Sequence, residues 1–250
     1  MIRMLQAVVG SMIAFYVGLA PISAADEPLT PMESTIDIAI RDFILNNPKV
    51  IRDALANAEL VEQLDRTKQV LRKESDAIYR SNSPTLGPPD SKVSIVLFFD
   101  YNCSHCRNSY LPLKQLLTSN PDVQIIFKDI ANYGKDSASI SKLVIASRKQ
   151  FKYLALHEAL MQRQGTITEA IAIEVARKIG IDVEIAKRDA SLPETARSLA
   201  STRDLASRLN VEGTPLFIIG HNGIAGAPDD LIDQLTKHVA EVRKSGCSVC

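Results

Sequence analysis

Two cysteines separated by two residues, Cys103 and Cys106 in "FFDYNCSHCRNSY" (98–110), follow directly on an apolar run and directly precede a segment of helical character. A second C-x-x-C pair, Cys247 and Cys250, ends the sequence and accounts for the remaining cysteines. Such pairs admit several chemistries: a tetrahedral zinc site of four thiolates, a structural disulfide, or a pair that opens and closes to move electrons. Reduced thiols also suit Cu(I).

For Cys103 and Cys106 the turn from strand into helix favours electron transfer. A helix N-terminus presents unpaired amide donors and the positive end of the macrodipole, and both stabilise a thiolate placed there. Cys106, in the first helical turn, comes within disulfide distance, so Cys103 attacks or is attacked and Cys106 resolves the mixed disulfide. Ser104 supplies a hydrogen-bond donor and His105 positive charge; both favour the thiolate, hence the reduced form, and such a pair oxidises others. A purely structural staple over so short a loop would remove little chain entropy. "SGCSVC" at the C-terminus has no strand before it or helix after it. It is expected to be an inert disulfide in a mobile tail, distant from Cys103, which disfavours a shared zinc site and leaves no metal or cofactor expected. His157, His221 and His238 are scattered, and ordinary surface or helix-face roles are expected of them.

The elements that must hold the pair are readable on both sides. "VSIVLFFD" (93–100) is a continuous β-type run, followed by a helix over about 104–117 that Pro112 is expected to kink, and by a strand at 123–130. This strand-helix-strand unit builds a parallel sheet. Helices with breaks near Gly165, Gly180 and Pro193 fill 137–209; a strand at 215–220, a short strand near Ile224 and a helix over about 228–244 follow.

Upstream, Ile36, Ile40, Phe43 and Ile44 share one helical face, and Asn47-Pro48 reads as the cap and first position of a second helix. From Val50 through Ala54, Asn57, Val61, Leu64, Lys68, Leu71 and Ser75 to Ile78 the steps alternate between four and three, a heptad seam interrupted by Asn57, Lys68 and Ser75. It is either a surface for self-association through residues 36–80 or a helix folded back on its own domain. Arg3, the uncharged stretch Leu5–Ala20 and the small residues Ser23–Ala25 read as a secretory signal peptide ending at Ala25, with an uncleaved anchor as the alternative. Export places the cysteines in an oxidising compartment. A chain of 250 residues with 46% hydrophobic content, 29 basic and 29 acidic residues is an ordinary globular protein with no field to attract nucleic acid, which is not expected as a partner.

Taken together, "FFDYNCSHC" after a strand, an inserted helical stretch and "VEGTPLFIIG" (211–220) resemble the DsbA-type thioredoxin-fold disulfide oxidoreductases. The N-terminal extension with "FILNNPKVI" is more similar to the ScsC-like bacterial branch. The resemblance implies an α/β thioredoxin fold with an inserted helical subdomain and an N-terminal helical stalk, laid out as signal peptide 1–25, helical extension 26–82, linker 83–92, thioredoxin domain 93–245 and tail 246–250. It implies a cis bond before Pro215, with Thr214 and Pro215 binding the substrate chain. It further implies a periplasmic enzyme, an oxidase or an isomerase, acting on cysteine-containing secreted polypeptides and reset by a membrane redox partner. The family's buried acid, six residues before the first cysteine, is replaced here by Leu97; Asp100 is nearer, and a proton-accepting role for it is left open. The alternatives are a copper- or zinc-binding thiol protein of metal stress and a non-catalytic binding protein on the same scaffold.

Overall fold

The computed structural model describes residues 31–250. The expected signal peptide, 1–25, lies outside the described residues. In chain order the elements are α1 (Pro31–Asn46), α2 (Pro48–Lys73), α3 (Ser75–Tyr79), β1 (Thr85–Leu86), β2 (Val93–Phe99), α4 (Ser104–Ser119), β3 (Val123–Asp129) and α5 (Gly134–Ala146). After a 3-10 turn at Ser147–Gln150 come α6 (Tyr153–Met161), α7 (Glu169–Lys178), α8 (Val183–Ala190), α9 (Pro193–Arg208), β4 (Leu216–Ile219), β5 (Asn222–Ala225) and α10 (Leu231–Ser245). Two compact units result, one reaching Ala58 and the other Glu59–Cys250, with the boundary inside α2.

In the first unit α1 and the start of α2 leave Ile36, Ile40, Phe43, Ile44, Val50 and Leu55 exposed. Asn47, expected to cap α2, turns the other way: its Nδ2 donates to Phe43 O at 2.8 Å and satisfies a carbonyl at the end of α1. Pro48 still opens α2 as expected.

The second unit is built on a five-stranded sheet of order β1-β3-β2-β4-β5. β2 and β3 run parallel from Val93 opposite Val123 to Phe99 opposite Asp129, and β4 lies antiparallel on the other side of β2. Alternation along β2 covers both faces with apolar side chains. Val93, Ile95, Leu97 and Phe99 join the main core with Leu113, Ile140 and Leu160, whereas Val96 and Phe98 meet Leu71, Ile78, Leu205, Ile218 and Val249.

Three sequence expectations change in this unit. Leu71 and Ile78, read as seam positions of the extension, are buried against this unit's sheet, and the helix breaks at Glu74 between α2 and α3. The stretch 83–92, read as a linker, contributes the edge strand β1, antiparallel to β3. Gly87 is needed there, because at its φ of +113° a Cβ would come within 2.6 Å of Val123 O. The C-terminal tail is docked: Val249 is buried between the disulfide partners Cys247 and Cys250, and Arg72 Nε donates to Ser248 O at 3.1 Å.

Lys128 shows how register places polar groups. It follows Phe127, which faces the main core, so its side chain points to the α3 side, where Nζ donates to Ala77 O, Ser81 Oγ and Ser83 Oγ at 2.6, 2.6 and 2.9 Å. Burial pushes the ammonium down to about 8. Lys128→Met strands these acceptors and is expected to lower stability by about 2–4 kcal/mol in denaturant titration, with exchange activity per folded molecule retained. A loss under about 0.5 kcal/mol would show that residues 77–83 are held by apolar contacts alone.

Candidate active site

β2 delivers the chain to the head of α4 through Asp100, Tyr101 and Asn102. The turn is tied down by its own polar side chains. Asp100, fully buried, accepts from Asn102 N at 2.6 Å and Ser137 Oγ at 2.8 Å on Oδ1, and from Tyr133 N at 3.1 Å on Oδ2. Asn102 bonds Ile167 in both directions, Nδ2 to Ile167 O at 2.9 Å and Ile167 N to Oδ1 at 2.8 Å. Charged and reciprocal bonds of this kind fix a loop more firmly than apolar contact does, so the helical insertion braces the turn.

Cys103 is the N-cap of α4, with φ −78° and ψ 112°, and its Sγ accepts from Cys106 N at 3.2 Å. A sulfur in this position meets an orphan amide of the first turn as a capping oxygen would. In the thiol form the same Sγ donates to Thr214 O at 3.3 Å. The Cys103 thiol is lowered to about 6: a hydrogen bond from the Cys106 thiol leads, and the Thr214 hydroxyl, the Cys106 amide and the Tyr133 phenol add to it, together outweighing burial. Burial, then the hydrogen bond to Cys103 and the negative charge there, push the Cys106 thiol far up. One sulfur is therefore an anion at neutral pH and its neighbour a proton donor.

Thr214 precedes Pro215 through a cis peptide bond. Thr214 Oγ1 is buried without a formed hydrogen bond, close enough to both sulfurs for its dipole to favour an anion. The structure thus brings together Cys103, Cys106 and Thr214, with Pro215 adjoining. His105 is exposed in the first turn of α4. Cys247 and Cys250 are joined in their own disulfide, so the four sulfurs do not share a metal centre.

Three residues escaped the sequence. Tyr133, in the loop before α5, reaches Cys103 from 30 positions away; the Thr214 hydroxyl pulls its phenol down, while partial burial and the charge and hydrogen bond of Cys103 push it up by more. Asp129, opposite Phe99 at the end of β3, is pushed up to about 7, chiefly by burial and further by Asp100, against the Ser141 hydroxyl. His157, expected on a surface or helix face, is fully buried and ringed by Phe99, Tyr101, Tyr110, Phe127 and Tyr153, with Nδ1 paired to the Tyr101 hydroxyl at 2.9 Å. Burial pushes it down to about 3, so it packs as a neutral aromatic ring.

The family model of the DSBA-like thioredoxin domain matches residues 94–240, more than half of the chain. The chain belongs to the DSBA-like thioredoxin family. Its relatives include the probable disulfide bond formation protein D of Bacillus anthracis, 28% identical over 180 residues, covering 67% of this chain and 81% of that protein. Among solved structures, the thiol-disulfide exchange protein alpha-DsbA2 of Wolbachia pipientis superposes with TM-score 0.67 at 28% identity, covering 72% of this chain and 98% of that one. A linker-deletion mutant of ScsC from Proteus mirabilis superposes with TM-score 0.65 at 26% identity, covering 88% of this chain and 99% of its own. The last match reaches beyond the family segment. As a DsbA-like protein the chain is a thiol-disulfide oxidoreductase with a thioredoxin fold, as the sequence resemblance implied.

Proposed function

We propose that the protein is an exported, periplasmic dithiol oxidase that introduces disulfides into cysteine-containing secreted polypeptides through Cys103 and Cys106. The observation that carries this reading is the asymmetry of the two sulfurs, Cys103 lowered to about 6 and Cys106 pushed far up. In the oxidised enzyme a substrate thiolate attacks Cys103 Sγ, and the bond to Cys106 breaks. Its electron pair leaves on Cys106, which takes up a proton. A second substrate thiolate then attacks the substrate sulfur of the mixed disulfide and expels Cys103 as its stabilised thiolate. The substrate gains a disulfide and the enzyme holds the two electrons, which a membrane redox partner removes. Because the reduced form is the stabilised one, transfer runs toward oxidation of the substrate.

Thr214 and Pro215, beside the reacting sulfur, would bind the extended substrate chain. His105, exposed and adjacent, would offer a ring N–H to an incoming thiolate. Export rests on the signal-like stretch at 1–25. Oxidation of a reduced, unfolded test protein by the oxidised enzyme, followed by mass spectrometry of the product's disulfides, tests this reading; a product formed no faster than with glutathione disulfide alone rejects it.

A second reading, disulfide isomerisation, is favoured by the apolar residues left exposed along α1 and α2, among them Ile40, Phe43, Leu55, Val61 and Leu64. Exposed apolar side chains in this number suit an interaction surface, and self-association through 36–80 would set several sites around one cleft. Sedimentation of the mature chain is expected to give an oligomer, and a chain beginning at Glu59 a monomer; a monomeric mature chain contradicts the assembly and leaves oxidation as the sole activity.

A further inference from the structure

Cys247 and Cys250 take no part in the chemistry at Cys103, yet their surroundings are specific. They close a disulfide over a sequence separation of 3, a loop so short that the bond removes little entropy from the unfolded chain. Its effect is local. Between the two sulfurs Val249 is 2% exposed and belongs to the cluster of Leu71, Ile78, Val96 and Phe98, while Ser248 O accepts from Nε of Arg72, in the last turn of α2, at 3.1 Å. The two cysteines are unequal: Cys247 is half-buried and packs against both core clusters, whereas Cys250 is exposed. A closed ring of four residues therefore covers the end of α2 and α3, with one of its sulfurs on an exposed residue.

We propose that Cys247 and Cys250 form a second thiol-exchange site, opened at Cys250 by low-molecular-weight thiols of the glutathione class, and that its opening releases the tail from α2 and α3. The inference goes beyond the exchange chemistry of Cys103 and Cys106 and does not depend on it. A small thiolate attacks Cys250 Sγ, and the bond to Cys247 breaks. Its electron pair leaves on Cys247 Sγ, which takes up a proton from solvent. A second small thiolate then attacks the small-thiol sulfur of the mixed disulfide and expels Cys250, so that two small thiols are oxidised to one disulfide and the terminal pair is reduced to two thiols. The core packed around Cys247 directs the first attack to Cys250, because exchange depends on access to the sulfur. Once the ring is open its four residues regain torsional freedom, and seating Val249 and Ser248 together then costs ordering entropy that the closed ring had already removed. Leu71 and Ile78 lose part of their apolar cover. Helix α3, five residues long, has too few turns to persist without that packing.

The test uses the full chain carrying Cys103→Ser and Cys106→Ser, in which the terminal pair holds the remaining sulfurs of cysteine. Treated with millimolar reduced glutathione and mapped by mass spectrometry, it should carry the mixed disulfide on Cys250 at least about fivefold more than on Cys247. With the pair fully reduced, hydrogen-deuterium exchange should be about tenfold faster at the amides of Glu74 and Ile78, which donate to Val70 O and Glu74 O in the closed form. Val249→Ala, with the disulfide intact, should speed exchange at the same two amides without any thiol. No glutathione adduct, or an adduct chiefly on Cys247, overturns the exchange site. Equal amide exchange in the oxidised and reduced chains overturns the release, and Val249→Ala exchange equal to that of the parent chain overturns Val249 as its link to α2 and α3.

Discussion

Cys103→Ala should abolish disulfide transfer, slowing it by at least about 10³-fold to the level of the uncatalysed thiol reaction, because no other described sulfur combines an N-cap position with a lowered thiol. Cys106→Ala should behave differently. It leaves Cys103 but removes the sulfur with which it closes the enzyme's own disulfide, so when Cys103 attacks a disulfide-bonded substrate the mixed disulfide cannot be resolved within the enzyme and should accumulate on non-reducing gels. Replacing Cys247 and Cys250 with serine should alter neither result, since their disulfide is docked against the second core cluster by Val249. If Cys103→Ala retained a tenth or more of the wild-type rate, the terminal pair would be carrying electrons and the assignment of the site would be wrong.

The second large effect is a pH-dependent gap between the reduced and oxidised proteins. Cys103 is an acid whose folded value, about 6, lies below its ordinary value of 9.0, so the unfolded chain binds more protons between those two limits. Its contribution to the stability of the reduced form is therefore fully present above pH 9, declines through that window and is gone below about 6. The oxidised form has no such proton to exchange. At pH 7 the contribution is about 1.4 kcal/mol at most, a tenfold bias or roughly 30 mV toward the reduced pair. It reaches about 4 kcal/mol at pH 9 before allowance for solvent screening. Parallel denaturant titrations of the two forms should show their difference growing in favour of the reduced form from pH 5 to 9; a difference constant with pH removes the driving force for oxidation.

The redox pair was legible because its cause is local. An apolar strand, a turn and a helix in succession place Cys103 where orphan amides point, and three residues of helix bring Cys106 back beside it. Thr214 and Pro215 were legible only through the resemblance, since nothing in their own spacing says that β4 will start beside the head of α4. Tyr133 was illegible for the same reason: its approach to Cys103 is made by a main-chain bond to Asp100, which no side-chain pattern announces. Asp129 drew no reading of its own and His157 was read as an ordinary surface or helix-face residue, because burial is set by register and packing. The partners of His157 come from β2, β3, α4 and α6 together. The heptad seam was a sound periodicity with two uses left open, self-association or folding back on its own domain. Its early positions remain exposed, while Leu71 and Ile78 cover the sheet.

The whole account turns on the charge state of one sulfur, and the ultraviolet absorbance of thiolate in the reduced protein reports it directly as pH is varied. The structure predicts one thiolate titrating with a midpoint near 6 and absent from Cys103→Ala. Absorbance that rises only near 9.0, the ordinary value, would contradict it and leave Cys103 without the means to act as attacker or leaving group.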